Sequence, residues 1–136
     1  MDFNTYRELA TKASDLHGAG KSAEALKILA ELVLSDISDI DKSVMCLNAA
    51  IINDQAGEIE QALKWYDRGM AYEQAQAKYF VTMRKAAYLV EKKRLDESLQ
   101  IFQRLLSRPY VPESDKIVIQ TNIDLVQKMM KEQEQP

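Results

Sequence analysis

The sequence predicts an all-α protein, and three observations carry that prediction. Long segments are rich in alanine, leucine, glutamate, glutamine, lysine and methionine, which have the highest helix propensities. Only four glycines and three prolines occur among the 136 residues, and most of them fall between these segments. The alternation of polar and apolar residues that is typical of strands is nearly absent, and 117–119 is the only short β-branched cluster.

Apolar residues at three- and four-residue spacing predict a first helix over about 3–18. We expect it to end at Gly18-Ala19-Gly20, because glycine readily adopts the left-handed conformation that closes a helix. A second helix is predicted over about 21–35, with one apolar face formed by Ala25, Ile28, Leu29, Leu32 and Val33.

The polar turn at 35–39 can cap a third helix, predicted over about 40–56 and ending at Gly57. A fourth helix is expected over about 58–72, on the same three- and four-residue spacing. A fifth is expected over about 75–92, and its basic end suits the negative pole of a helix dipole.

The sixth predicted helix covers about 95–107, and Pro109 and Pro112 prevent it from continuing. A seventh helix over 112–132 is expected to pack inward through the apolar stripe Ile119, Ile123, Val126 and Met130. The polar residues 133–136 are predicted to form a disordered tail.

Length and composition exclude several classes of protein. A chain of 136 residues predicts one domain, over 1–132, and its 46% of hydrophobic and 29% of charged residues argue against wholesale disorder. The net charge of −3 disfavours nucleic-acid binding. No signal-peptide-like or membrane-spanning apolar run is found, so we expect no membrane insertion, and with a single cysteine we expect a cytoplasmic protein.

An internal repeat links the predicted helices in pairs. The segments 20–26, 57–63 and 93–99 align with one another, at periods of 37 and 36 residues. Positions are counted from the first residue of each aligned segment, at 20, 57 and 93. The positions seven residues before it and five residues after it are small in all three cases: Ala13, Ala50, Ala86, Ala25, Ala62 and Ser98. A small side chain allows two antiparallel helices to approach closely, so these positions are expected at helix crossings.

With this pattern the chain resembles the tetratricopeptide repeat (TPR) family, whose helix-turn-helix unit has a period of about 34 residues. The resemblance implies three repeats, at about 5–38, 41–75 and 77–108, followed by a capping helix at 112–132. It also implies a right-handed α-solenoid of antiparallel helix pairs. One departure is Lys93, which stands where the family usually has glycine.

No group of residues in the sequence points strongly to catalysis, and we expect no enzymatic activity, no metal and no cofactor. His17 is the only histidine, so one chain offers no multi-histidine metal site. Its position at the end of the first predicted helix suits a favourable dipole contact, with a binding contact as the alternative. A Cys46–His17 nucleophile pair is conceivable, but the repeat alignment places Cys46 on the packed face.

The TPR resemblance implies that the first helix of each repeat lines a concave groove. The predicted partner-binding residues are Leu47, Asn48, Ile51, Phe80, Met83, Arg84 and Ala87. The predicted periphery consists of Arg7, Thr11, Ser14, His17, Gln55 and Glu91. Of the five polar residues with which some family members hold a peptide carboxylate, only Asn48 and Arg84 are present, which disfavours that mode.

We therefore expect a non-enzymatic scaffold or adaptor that binds a protein or peptide segment in this groove. Each groove residue has an alternative role in packing between repeats. The alternative function is a self-assembling module that forms a homodimer or larger homo-oligomer through the groove or the last helix. An RNA-binding helical repeat is a further alternative, which the acidic net charge disfavours.

Overall fold

A computed structural model describes residues 1–134, and over these residues it contains seven α-helices and no strand. The helices α1 to α7 are Phe3–Gly18, Ser22–Val33, Asp39–Gln55, Ile59–Gln74, Phe80–Glu91, Leu95–Leu106 and Glu113–Glu134. The all-α class and the seven helices are therefore confirmed. None of these helices is long and apolar enough to cross a membrane.

The largest difference from prediction is the start of α5, which lies at Phe80 and not at residue 75. The chain turns at Ala77, whose φ of 57° is left-handed. The backbone N–H of Lys78 then donates to the carbonyl of Glu73 at 3.0 Å, which closes α4.

Helix α7 runs through Glu134 and so extends two residues into the predicted tail 133–136. Residues 135 and 136 of that predicted tail lie outside the described part of the chain.

The three turns aligned by sequence have the same backbone geometry. Their central residues are left-handed, with φ of 79° at Gly20, 78° at Gly57 and 63° at Lys93. After each, a backbone N–H donates over five residues to a carbonyl at 2.8 Å: Lys21 to Leu16, Glu58 to Asn53 and Arg94 to Leu89. This is the pattern of a Schellman helix ending. The sequence repeat thus corresponds to a repeated local structure.

The chain divides into two compact units, of which the first is Met1–Val81. Within it, α1 packs on α2, α2 on α3, and α3 on α4. Apolar side chains from the first three helices and the α2–α3 connection form one buried cluster: Ala13, Ala25, Leu29, Leu32, Val33, Ile37, Met45, Cys46, Ala49 and Ile52.

The second unit begins at Thr82. Within it, α6 packs on α7, and the predicted inward residues Ile119, Ile123 and Val126 are buried. Ser98 of α6 is fully buried, and its hydroxyl donates to the carbonyl of Ala86 in α5 at 2.8 Å.

The six small positions of the sequence repeat are all buried, each with 2% or less of its surface exposed. In the first unit, the tightest of the glycine sites lies where α3 meets α4. A methyl group added to Gly69 would lie 3.1 Å from Cβ of Cys46, from the carbonyl oxygen of Ser43 and from Cγ1 of Val81. Close approach of α3 and α4 therefore explains the glycine at position 69.

Candidate functional site

The first unit contains a cavity of about 160 Å³ between α1, α2 and α3. Eight residues line it: Ala10, Ala13, Ser14, His17, Leu29, Asn48, Ile51 and Ile52. Ala13, Leu29 and Ile52 are buried, whereas Ser14 and Asn48 are exposed. The cavity therefore combines apolar walls with a hydroxyl and a carboxamide that reach solvent.

Two alanines on α1 account for part of this cavity. Ala10 and Ala13 point toward a surface that Leu29 of α2 and Ile52 of α3 also line. A leucine at either alanine position would occupy a large share of the volume, since the cavity is no larger than one medium-sized side chain requires. The small side chains on α1 are thus what leaves the space open.

The imidazole of His17 fixes one edge of the cavity. Its Nδ1 lies 2.9 Å from the hydroxyl of Ser22, and its Nε2 lies 2.5 Å from Oε1 of Gln55. Because the amide oxygen of Gln55 only accepts, Nε2 carries the hydrogen in this arrangement, and in the neutral ring Nδ1 accepts from Ser22. His17 therefore connects the end of α1 to the start of α2 and the end of α3.

The structure brings together four of the predicted site residues at this cavity: Ser14, His17, Asn48 and Ile51. Gln55 joins them through its hydrogen bond to His17. Arg7 and Thr11 lie elsewhere, in a shallow depression of about 490 Å³ on α1 whose other lining residues are Asn4, Glu8, Lys12 and Asp15.

The remaining predicted residues differ in exposure. Leu47 is buried, with 6% of its surface exposed, and contributes to the interior of the first unit. Phe80, at the start of α5, is 58% exposed. Farther along α5, Met83 is half-buried and three residues are exposed: Arg84, Ala87 and Glu91. Their three- and four-residue spacing places Phe80 and these three on one side of the helix.

Four of the cavity residues are not among the predicted site residues: Ala10, Ala13, Leu29 and Ile52. Leu29 and Ile52 belong to the apolar stripes of their helices, and nothing in a stripe distinguishes a residue beside a cavity from one in a filled core. The only sequence signal for the cavity was the pair of small residues Ala10 and Ala13 on α1. The repeat alignment includes only Ala13, which it explains by close packing of helices.

Cys46 lies outside this cavity and is fully buried. Burial raises the pKa of its thiol to about 11, against an ordinary value of 9.0, although the nearby positive charge of Arg68 acts in the opposite direction. At neutral pH the group is therefore a thiol and not a thiolate, which removes the nucleophilic form that cysteine chemistry requires.

Within residues 1–134 the structure places no three histidine, cysteine, aspartate or glutamate side chains where they could hold a metal ion together. A scan of this chain against protein-family models found no match, and a search of curated proteins also found none.

Proposed function

We propose that this protein is a non-enzymatic scaffold that binds a peptide or helical segment of a partner protein, with the cavity between α1, α2 and α3 as the anchoring site. The observation that carries the proposal is the cavity itself, which has apolar walls and exposed polar groups at one surface. It lies between the first helices of two successive hairpins, α1 and α3.

The size of the cavity favours a single apolar side chain as the anchor. A volume of about 160 Å³ is close to that of an engineered protein cavity of about 150 Å³ that holds one benzene molecule. A leucine, isoleucine, methionine or phenylalanine side chain matches this volume. Its transfer from water to the apolar walls would supply binding energy.

The exposed polar groups support recognition of a peptide backbone beside that anchor. The carboxamide of Asn48 can donate and accept hydrogen bonds at once, and the hydroxyl of Ser14 can do the same. The His17 hydrogen bonds hold neighbouring helix ends in place. A site that is already ordered loses little conformational entropy when the ligand binds.

Independently of the cavity, the exposed side of α5 is a contact surface in this proposal. Phe80 exposes a large apolar ring, and Arg84 supplies a positive charge on the same side of the helix. Aromatic and arginine side chains are enriched at the energetic centres of protein interfaces.

The proposal includes a TPR-like array of helix hairpins. Three turns of similar geometry and six buried small positions support a repeated hairpin unit. Stacked hairpins bury faces that a single hairpin would leave exposed, and they offer extended surfaces for partners.

Selection from a displayed library of random short peptides, followed by titration calorimetry, tests the proposal. We expect selected peptides to share one apolar residue, and Ala10→Leu, which fills the cavity, to weaken their binding at least about tenfold. Ala23→Leu makes the same change at an exposed position of α2 and should leave binding unchanged.

Two results would overturn the anchoring role of the cavity. One is selection of no peptide at all from the library. The other is equal binding by wild type, Ala10→Leu and Ala23→Leu, each shown by circular dichroism to be folded. The contribution of α5 is tested separately by Phe80→Ala, for which we expect weaker binding without loss of the cavity anchor.

A further inference from the structure

Helix α7 is apolar on two opposite sides. One side carries Ile119, Ile123 and Val126, which are buried within the second unit. The other side exposes Ile117 at 68%, Val118 at 53% and Leu125 at 57%. An exposed group of large aliphatic side chains on one helix face is typical of an interaction surface.

We propose that this exposed side of α7 pairs with α7 of a second copy of the chain, antiparallel and symmetric about Thr121. This interface is distinct from the peptide site proposed for α1–α3 and does not depend on it. The partner is specified by the sequence of α7, which is complementary to its own reversed copy.

The apolar residues fit this symmetry. Ile117 lies four residues before Thr121 and Leu125 lies four residues after it, so all three fall along one side of the helix. In an antiparallel pair centred on Thr121, Ile117 of each copy lies opposite Leu125 of the other. Ile117 and Leu125 are then covered at once, as an isologous two-fold interface requires.

Two oppositely charged residues of α7 favour the same orientation. Glu113, in the first turn, and Lys128, in the second half, lie eight and seven residues from Thr121. Antiparallel pairing therefore brings each Glu113 near Lys128 of the other copy, whereas parallel pairing brings like charges together. The carboxylate of Glu113 lies 3.6 Å from Nζ of Lys116 in the same helix. Its side chain is nevertheless 87% exposed and therefore accessible to a second copy.

The size of this surface predicts reversible association. Stable interfaces bury about 800 Å² per partner, and one face of a single helix offers less than that. We therefore expect a monomer–dimer equilibrium that depends on protein concentration.

Sedimentation velocity over a range of protein concentrations gives the first test. We expect Ile117→Glu/Leu125→Glu to weaken dimerisation at least about tenfold. Gln100→Glu/Gln103→Glu adds the same charge at exposed positions of α6 and should leave the equilibrium unchanged. Absence of a dimer in the wild type at all concentrations, or equal association of both variants, overturns the proposal.

A charge exchange tests the orientation within the dimer. Lys128→Glu alone should weaken association, because it places two acidic groups together. Adding Glu113→Lys in the same chain should restore it, since the opposite charges then meet again. Failure of the double variant to recover any affinity contradicts antiparallel pairing.

Cysteine cross-linking measures the geometry directly. Thr121→Cys should form a disulfide between copies, because residue 121 lies at the symmetry axis. Ser114→Cys should not, since antiparallel pairing separates the two copies of residue 114 by about 21 Å along the helix axis. Cross-linking at both positions indicates parallel pairing, and cross-linking at neither excludes this interface; either result overturns the proposal.

Discussion

The buried carboxylate of Glu73 in α4 accepts a hydrogen bond from the backbone N–H of Val81 in the first turn of α5, at 2.8 Å. Only 1% of the surface of Glu73 is exposed. The main chain of the same residue closes α4, since its carbonyl accepts from Gln76 and Lys78 at 3.0 Å. One residue therefore ends one helix and supports the beginning of the next.

Removal of this carboxylate should destabilise the protein. Glu73→Ala leaves the N–H of Val81 without its acceptor in a buried position, and we expect a loss of about 1–3 kcal/mol in the free energy of unfolding. Urea denaturation followed by circular dichroism measures the change. Gln74→Ala, at the exposed neighbouring position, is the control, and equal midpoints for the two variants would contradict the capping role.

The α3–α4 crossing should not tolerate a methyl group at Gly69. Gly69→Ala places a carbon 3.1 Å from the carbonyl oxygen of Ser43, a backbone atom that moves only with its helix. We expect a loss of about 1–3 kcal/mol, as for other overpacked cores. Gly18→Ala, which meets no atom within 4 Å, should change stability by less than about 0.5 kcal/mol. Thermal unfolding of both variants distinguishes these outcomes.

The buried small positions should reject larger side chains. Ala62 on α4 is fully buried, and Ala62→Leu is expected to cost about 1–3 kcal/mol or more. Ala71→Leu places the same side chain at an exposed site of the same helix and should stay within about 0.5 kcal/mol of wild type. Similar denaturation midpoints for the pair would mean that the crossing adapts to added volume.

Lys93 adopts the conformation for which the two equivalent turns use glycine. A left-handed conformation costs a residue with a side chain about 1–2 kcal/mol. Glycine avoids this cost, but its greater freedom in the unfolded chain offsets part of the gain. Lys93→Gly should therefore stabilise the second unit slightly, whereas Gly57→Ala should destabilise the first. Hydrogen exchange of the flanking helices measures both effects, and a destabilised Lys93→Gly would show that the lysine side chain makes a compensating contact.

Cys46 should make stability depend on alkaline pH. Burial raises the pKa of the folded thiol to about 11, above the ordinary value of 9.0. As the pH rises, the thiol of the unfolded chain therefore ionises first. The contribution of the buried thiol to the free energy of unfolding is complete below pH 9 and is lost as the pH rises toward 11. Cys46→Ala should show a shallower fall in the free energy of unfolding over this window. Parallel profiles for the two proteins would contradict the assignment.

The sequence predicted the helices well because their patterns are local. Apolar spacing located all seven, and the turn alignment anticipated the shared geometry at Gly20, Gly57 and Lys93. The α4–α5 connection was missed, since Ala77 carries no turn signal and the residue that closes α4 and supports the start of α5 is Glu73. A buried glutamate cannot be recognised from a sequence in which glutamates are mostly solvated.

The candidate site could be predicted only in part. The groove positions that the TPR resemblance implies include Ser14, His17, Asn48 and Ile51, which line one cavity, and also Arg7 and Thr11, which line a separate depression. Whether a side chain faces a neighbouring helix depends on where the two helices cross, which spacing along one helix does not determine. Leu47 illustrates this, because it is buried beside an exposed Asn48.

Trp65 is half-buried in the first unit, where the guanidinium of Arg68 lies 4.5 Å from the centre of its ring. It packs against the core of that unit and is the only tryptophan in the chain. Its fluorescence is therefore a selective optical probe of Met1–Val81, whereas far-ultraviolet dichroism records helices throughout the protein. Comparison of the two signals during unfolding will reveal whether the two units melt as one cooperative system or in succession.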